Sequence, residues 1–135
     1  MKNSIIILLF FSFGILYQAQ AQDRFRRDYS YVVINSPDKY ENELFDGENV
    51  FVFNYNDNAD VLHIRANGIK VVYIRTSPIE MDKDKDGDEY AIFKALNEHG
   101  EEIIMKIFTN DDYGVHILLK FKDDSEYSSF SYINK

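Results

Sequence analysis

The chain has 135 residues, a formal net charge of −8, 28% charged residues and no cysteine or tryptophan. The missing cysteine excludes disulfides, thiol catalysis, thiolate metal centres and a lipidated cysteine anchor. The acidic balance gives no electrostatic drive towards nucleic acid or anionic lipid.

The first element is a leader. Lys2 and the amino terminus start it positive, and residues 5–17 form an apolar run of 13 broken only by Ser12 and Gly14. Gln18-Ala19-Gln20-Ala21 follows, with small residues where a signal peptidase needs them. This is the layout of a secretory signal peptide over residues 1–21, and its apolar run is short of the roughly 20 residues that span a bilayer. The expected mature chain, residues 22–135, is therefore secreted or periplasmic, with no membrane span once the leader is removed. Losing Lys2 takes the net charge to −9. No N-x-S/T acceptor occurs. With the absence of cysteine, this points to a bacterial exported protein.

Residues 22–28 hold Arg24, Arg26 and Arg27 and read as a flexible, solvated start. Residues 29–135 read as a single β domain. Short runs rich in Val, Ile, Tyr and Phe alternate with polar clusters that contain Gly47, Gly68, Gly87, Gly100 and Gly114. Strands are predicted near 29–35, 49–55, 60–66, 69–76, 88–96, 101–109, 114–122 and 126–133. Asn67-Gly68 between two apolar runs predicts a type I′ hairpin. Asn56-Asp57-Asn58-Ala59 and Lys122-Asp123-Asp124-Ser125 predict turns without glycine. A short helix is possible near 37–45: Ser36 would cap it, Pro37 suits the first helical position, and Tyr40 and Leu44 share a face.

About eight strands joined mostly by tight turns make a single antiparallel meander. Curling it until first and last strands meet removes both raw edges, giving a small up-and-down barrel. The architecture resembles that of lipocalin-type barrels, although the Gly-x-Trp of the lipocalin entry motif is absent. A two-sheet β-sandwich is the alternative.

Asp82-Lys83-Asp84-Lys85-Asp86-Gly87-Asp88-Glu89 resembles the first half of an EF-hand-type calcium loop. The resemblance implies carboxylate ligands from Asp82, Asp84 and Asp86 and a backbone carbonyl from Asp88. It lapses further on, because Phe93 stands where the bidentate glutamate belongs. A solvated acidic turn is the competing reading. His63, His99 and His116 lack metal-ligand spacing and read as exposed strand and turn residues. No nucleophile elbow or acid/base carboxylate pair is present, so no catalytic residue is assigned and the expected class is not an enzyme.

The expected mature chain holds eight phenylalanines and nine tyrosines. Phe51, Phe53 and Tyr55 share one face of a strand, and Tyr73 faces inward from another. These four are the candidate lining of a site for an apolar or amphipathic small molecule inside the barrel; the same rings could instead fill it. Phe130 and Tyr132 on the last strand could form a docking patch on an outward face. The leading function is therefore a small exported binding module. The alternative is a secreted protein-interaction or inhibitor-like module without a small-molecule ligand.

Overall fold

The computed structural model describes residues 23–121 and 126–134. The expected leader, and the turn expected at 122–125, lie outside the described residues. Among the described residues, nine strands follow one another: β1 (Phe25–Asn35), β2 (Glu43–Phe53), β3 (Val61–Ile64), β4 (Lys70–Arg75), β5 (Glu80–Lys83), β6 (Glu89–Leu96), β7 (Glu102–Phe108), β8 (Val115–Lys120) and β9 (Tyr127–Ile133). All pair antiparallel in the order β4-β3-β2-β1-β9-β8-β7-β6-β5, and β4 also pairs with β6. That last pairing closes eight strands into a barrel and leaves β5 as an extra strand. Among the described residues, no helix is long and apolar enough to cross a membrane.

The closure is short, resting on Ile74↔Leu96 and Arg75↔Ala95. Beyond it the same edge of β6 pairs with β5, from Glu80↔Ile92 to Lys83↔Glu89. The break between β4 and β5 falls at Pro78, which has no N–H to give to a ladder. There the Ser77 hydroxyl accepts the Lys94 N–H at 2.7 Å in place of a backbone carbonyl.

Three hairpin turns share one design. Gly68 N–H donates to Arg65 O at 2.8 Å, Gly87 N–H to Asp84 O at 3.0 Å and Gly100 N–H to Asn97 O at 3.1 Å. In each turn the glycine has φ between +74° and +87°. This is a tight turn followed by one left-handed residue, the three-residue hairpin loop. It corrects the type I′ expectation at Asn67-Gly68, since Asn67 does not have positive φ. The turn at 56–60 repeats the pattern with Ala59, φ +59°, in the glycine's place.

The expected helix near 37–45 is not formed. Pro37 and Asp38 sit at the centre of a β-turn in which Lys39 N–H donates to Ser36 O at 3.0 Å. Leu44 already belongs to β2, opposite Val33, and Tyr40 is fully exposed, so a helix there would have no core to cover. The only helical piece among the described residues is a single 3-10 turn, Asp111–Tyr113. β1 also begins inside the segment expected to be flexible. Arg27 donates to Phe108 O at 2.7 Å and lies 3.4 Å from Asp111.

The core is the barrel interior. Tyr29, Phe51, Phe53, Tyr73, Phe93, Ile103, Met105, Ile117 and Tyr132 pack there, with Phe130, Leu119 and Val32 against them. An eight-stranded barrel is just wide enough to be filled by side chains. The register of β1 on β2 slips by one residue between Tyr29↔Asn49 and Tyr31↔Asp46. Across the slip, β1 changes which alternate residues it turns inward, from Tyr29 to Val32 and Ile34.

Candidate functional site: the mouth of the barrel

The two ends of the barrel differ. One carries the loops at 54–60 and 109–114 and is closed. There the buried Tyr29 hydroxyl donates to Asp111 at 2.5 Å, tying the 3-10 turn over the barrel. At the other end lie the connection at 36–42 and the turns at 65–69 and 97–101. Arg65 and Glu98 form an ion pair between those two turns.

On one side of this pair is a cavity of about 180 Å³ walled by Tyr73, Ile103, Ile117, Leu119, Phe130 and Tyr132, with Asn97, His99 and Glu101 at its rim. On the other side is a shallower hollow of about 320 Å³ against Val32, Ile34, Phe45, Asp46 and Asn49. Arg65, Phe130 and Tyr132 line both. Drug-sized ligands occupy roughly 300–1,000 Å³. The mouth therefore suits small molecules rather than long-chain lipids.

A buried polar chain forms the floor. His63 is wholly inaccessible, with Nδ1 3.0 Å from the Tyr73 hydroxyl and Nε2 2.9 Å from Asn49 Oδ1. Burial, aided by the Arg65 charge, pushes the imidazole down to about 4, so it is neutral at pH 7. A neutral imidazole carries one ring proton. The carboxamide oxygen requires that proton on Nε2, so Nδ1 accepts from the Tyr73 O–H. Burial pushes Tyr73 up to about 12, which keeps that hydroxyl protonated. The charge of the neighbouring Arg65 acts on the same hydroxyl in the opposite sense to burial. For Arg65, burial works against the charge, but Glu98, with Tyr73, outweighs it and raises the guanidinium above its ordinary value. The polar chain thus runs from the ion pair at the mouth to Asn49 at the barrel wall. Phe51 stacks on His63 with ring centres 4.2 Å apart, and Tyr132 meets it edge-on at 5.1 Å.

The structure brings together three of the four aromatics singled out from the sequence. Phe51, Phe53 and Tyr73 all join the interior cluster, and Tyr73 alone of them also lines the mouth. Tyr55 is elsewhere, on the 54–60 loop at the closed end, beneath Arg24 at 5.3 Å. Phe130 and Tyr132 point into the barrel rather than outward. His63 corrects the expectation of an exposed strand histidine. The residues that sequence reasoning missed are Arg65, Glu98, Asn49 and His63. The signal for two of them was a polar side chain in inward register: His63 shares the buried face of Val61, and Asn49 that of Phe51 and Phe53.

The acidic string resolves into a strand and a turn. Asp82 and Lys83 belong to β5, paired with Tyr90 and Glu89. Carboxylate oxygens of Asp84, Asp86 and Asp88 lie within 4.8 Å of one another, and Asp82 is not among them. Desolvation, then the charges of Asp84 and Asp86, raise the Asp88 carboxyl above its ordinary value. Asp84 Oδ1 accepts the N–H groups of Asp86 and Asp88, both at 2.9 Å. Asn97 Oδ1 does the same for His99 and Glu101, at 3.0 and 2.9 Å. The two turns share a backbone, so this conformation forms from local hydrogen bonds without a cluster of carboxylates. Comparison of the chain with protein-family models, curated proteins and solved structures finds no match.

Proposed function

We propose that the protein is an exported binding module that holds a small amphipathic molecule at the mouth of its barrel. One observation carries the reading. A buried polar chain, capped by the Arg65–Glu98 pair, rises into an apolar hollow at one end of an otherwise filled barrel. Small-molecule sites combine such apolar walls with a few placed polar groups. The ligand lies over Tyr132 and Phe130 rather than deep among Phe51 and Phe53, where side chains already fill the space. Native mass spectrometry of the protein purified from its own source tests this. A small adduct that survives gentle ionisation and is lost on denaturation supports the reading; a bare chain contradicts it.

A second reading rests on a different surface. Leu62 stands beside Val72 across β3 and β4, and Ile74 beside Leu96 across β4 and β6. Their side chains point away from the core, and Val72, Ile74 and Ile69 are exposed. Adjacent apolar residues on an outer face support protein docking. Ile74→Lys in the middle of that face would abolish such an interaction and leave small-molecule binding intact.

A further inference from the structure

Resting on the reading of the mouth as a small-molecule site, we infer that its ligand is a small organic cation, an amine or quaternary ammonium carrying a compact apolar group. Charge is the first argument. Glu98, Glu101 and Asp46 line the two hollows against one cationic side chain, Arg65. That guanidinium is already held by Glu98, so an anion would have to break the pair to reach it. Glu101 is exposed at the rim, where one oxygen accepts from Asn97 Nδ2 at 3.1 Å. Its remaining lone pairs are left to receive an ammonium group.

The walls are the second argument. Tyr132 and Phe130 line both hollows, and Tyr73 joins them in the smaller one. Aromatic rings attract cations through their quadrupole, and clustered rings are the recurrent receptor for quaternary ammonium groups. Size is the third. The smaller hollow, about 180 Å³, is about six times the roughly 30 Å³ that one water occupies in the liquid. That admits a trimethylammonium group with a short apolar substituent.

Calorimetric titration of the whole protein with benzyltrimethylammonium, benzyl alcohol and benzoate at low salt tests this, because the three share a ring and differ in charge. The cation is expected to bind about fivefold tighter than the alcohol, with benzoate weakest. Glu101→Gln is expected to weaken the cation about threefold and leave the alcohol unchanged. Glu98→Gln unpairs Arg65 and is expected to reverse the order in favour of benzoate. Should Glu98→Gln fail to fold, the exposed Glu101→Gln still separates the cases. Alcohol or benzoate binding as tightly as the cation in the unsubstituted protein would overturn the charge assignment while the mouth stayed a binding site. No binding by any of the three would overturn both.

Discussion

At the scale of single residues, His63 is a fully buried imidazole that the fold holds neutral. In the unfolded chain it titrates near 6.5; in the folded barrel it is held down to about 4. Below 6.5 the unfolded state therefore binds a proton that the folded state refuses. Stability is fully present above pH 6.5 and falls as pH drops towards 4. Between pH 7 and pH 5 this one group should remove about 2 kcal/mol. Urea denaturation at the two pH values checks it, and His63→Gln should abolish most of the difference. Some dependence should survive, because burial also lowers His116, with the same sign. A full-sized loss in the His63→Gln variant would place the titrating group elsewhere. Asp84 supplies a second residue-scale test. Since Asn97 makes the same two turn bonds, Asp84→Asn should be nearly neutral, whereas Asp84→Ala should cost about 1 kcal/mol. If Asp84→Asn lowers the melting temperature only with millimolar calcium present, the carboxylates of Asp84, Asp86 and Asp88 hold the ion.

At the scale of elements, the hairpins explain why so much of the strand pattern was legible. Tight turns force antiparallel neighbours, and the glycines that punctuate the sequence at 68, 87 and 100 sit at the left-handed residue of those turns. Gly100 has open space where a Cβ would stand, so Gly100→Ala tests conformation alone and should cost about 1–2 kcal/mol. Gly114 differs: a Cβ there would stand 1.8 Å from the Tyr132 carbonyl oxygen. Gly114→Ala should therefore cost about 3 kcal/mol or more, strain and overlap together. Chemical denaturation of both variants checks the ranking, and equal costs would contradict it. Two elements were misread for identifiable reasons. The segment at 37–45 has Pro37, which suits a helix start and a β-turn equally; only the position of Leu44 opposite Val33 decides between them. β5 has no buried residue and no alternation, so nothing in Glu80-Met81-Asp82-Lys83 marked it as a strand. It exists because β6 offers an edge past the end of β4.

At the scale of the whole molecule, the up-and-down barrel was readable because strand count, turn spacing and the cost of raw edges all point the same way. The mouth was not. It depends on which polar residues the closed barrel brings together, and Arg65 and Glu98 are 33 positions apart on turns that touch only after β4 meets β6. The register slip beside Gly47 hid the rest. Strict alternation from Tyr29 would have turned Val32 and Ile34 outward, away from the hollow they help to line. The closed end, tied by Tyr29, Arg27 and Asp111, leaves the opposite end as the place for a ligand.

The most direct test is methyl nuclear magnetic resonance of the whole protein titrated with the three benzyl probes. If the mouth is the site, the methyl groups of Ile103, Ile117 and Leu119 shift together and saturably, while those of Val61, in the core beside the closed end, and of Leu62 and Val72, on the outer wall, stay in place. Shifts confined to Leu62, Val72, Ile74 and Leu96 on the outer face would contradict the mouth as the binding site and move the function to that surface.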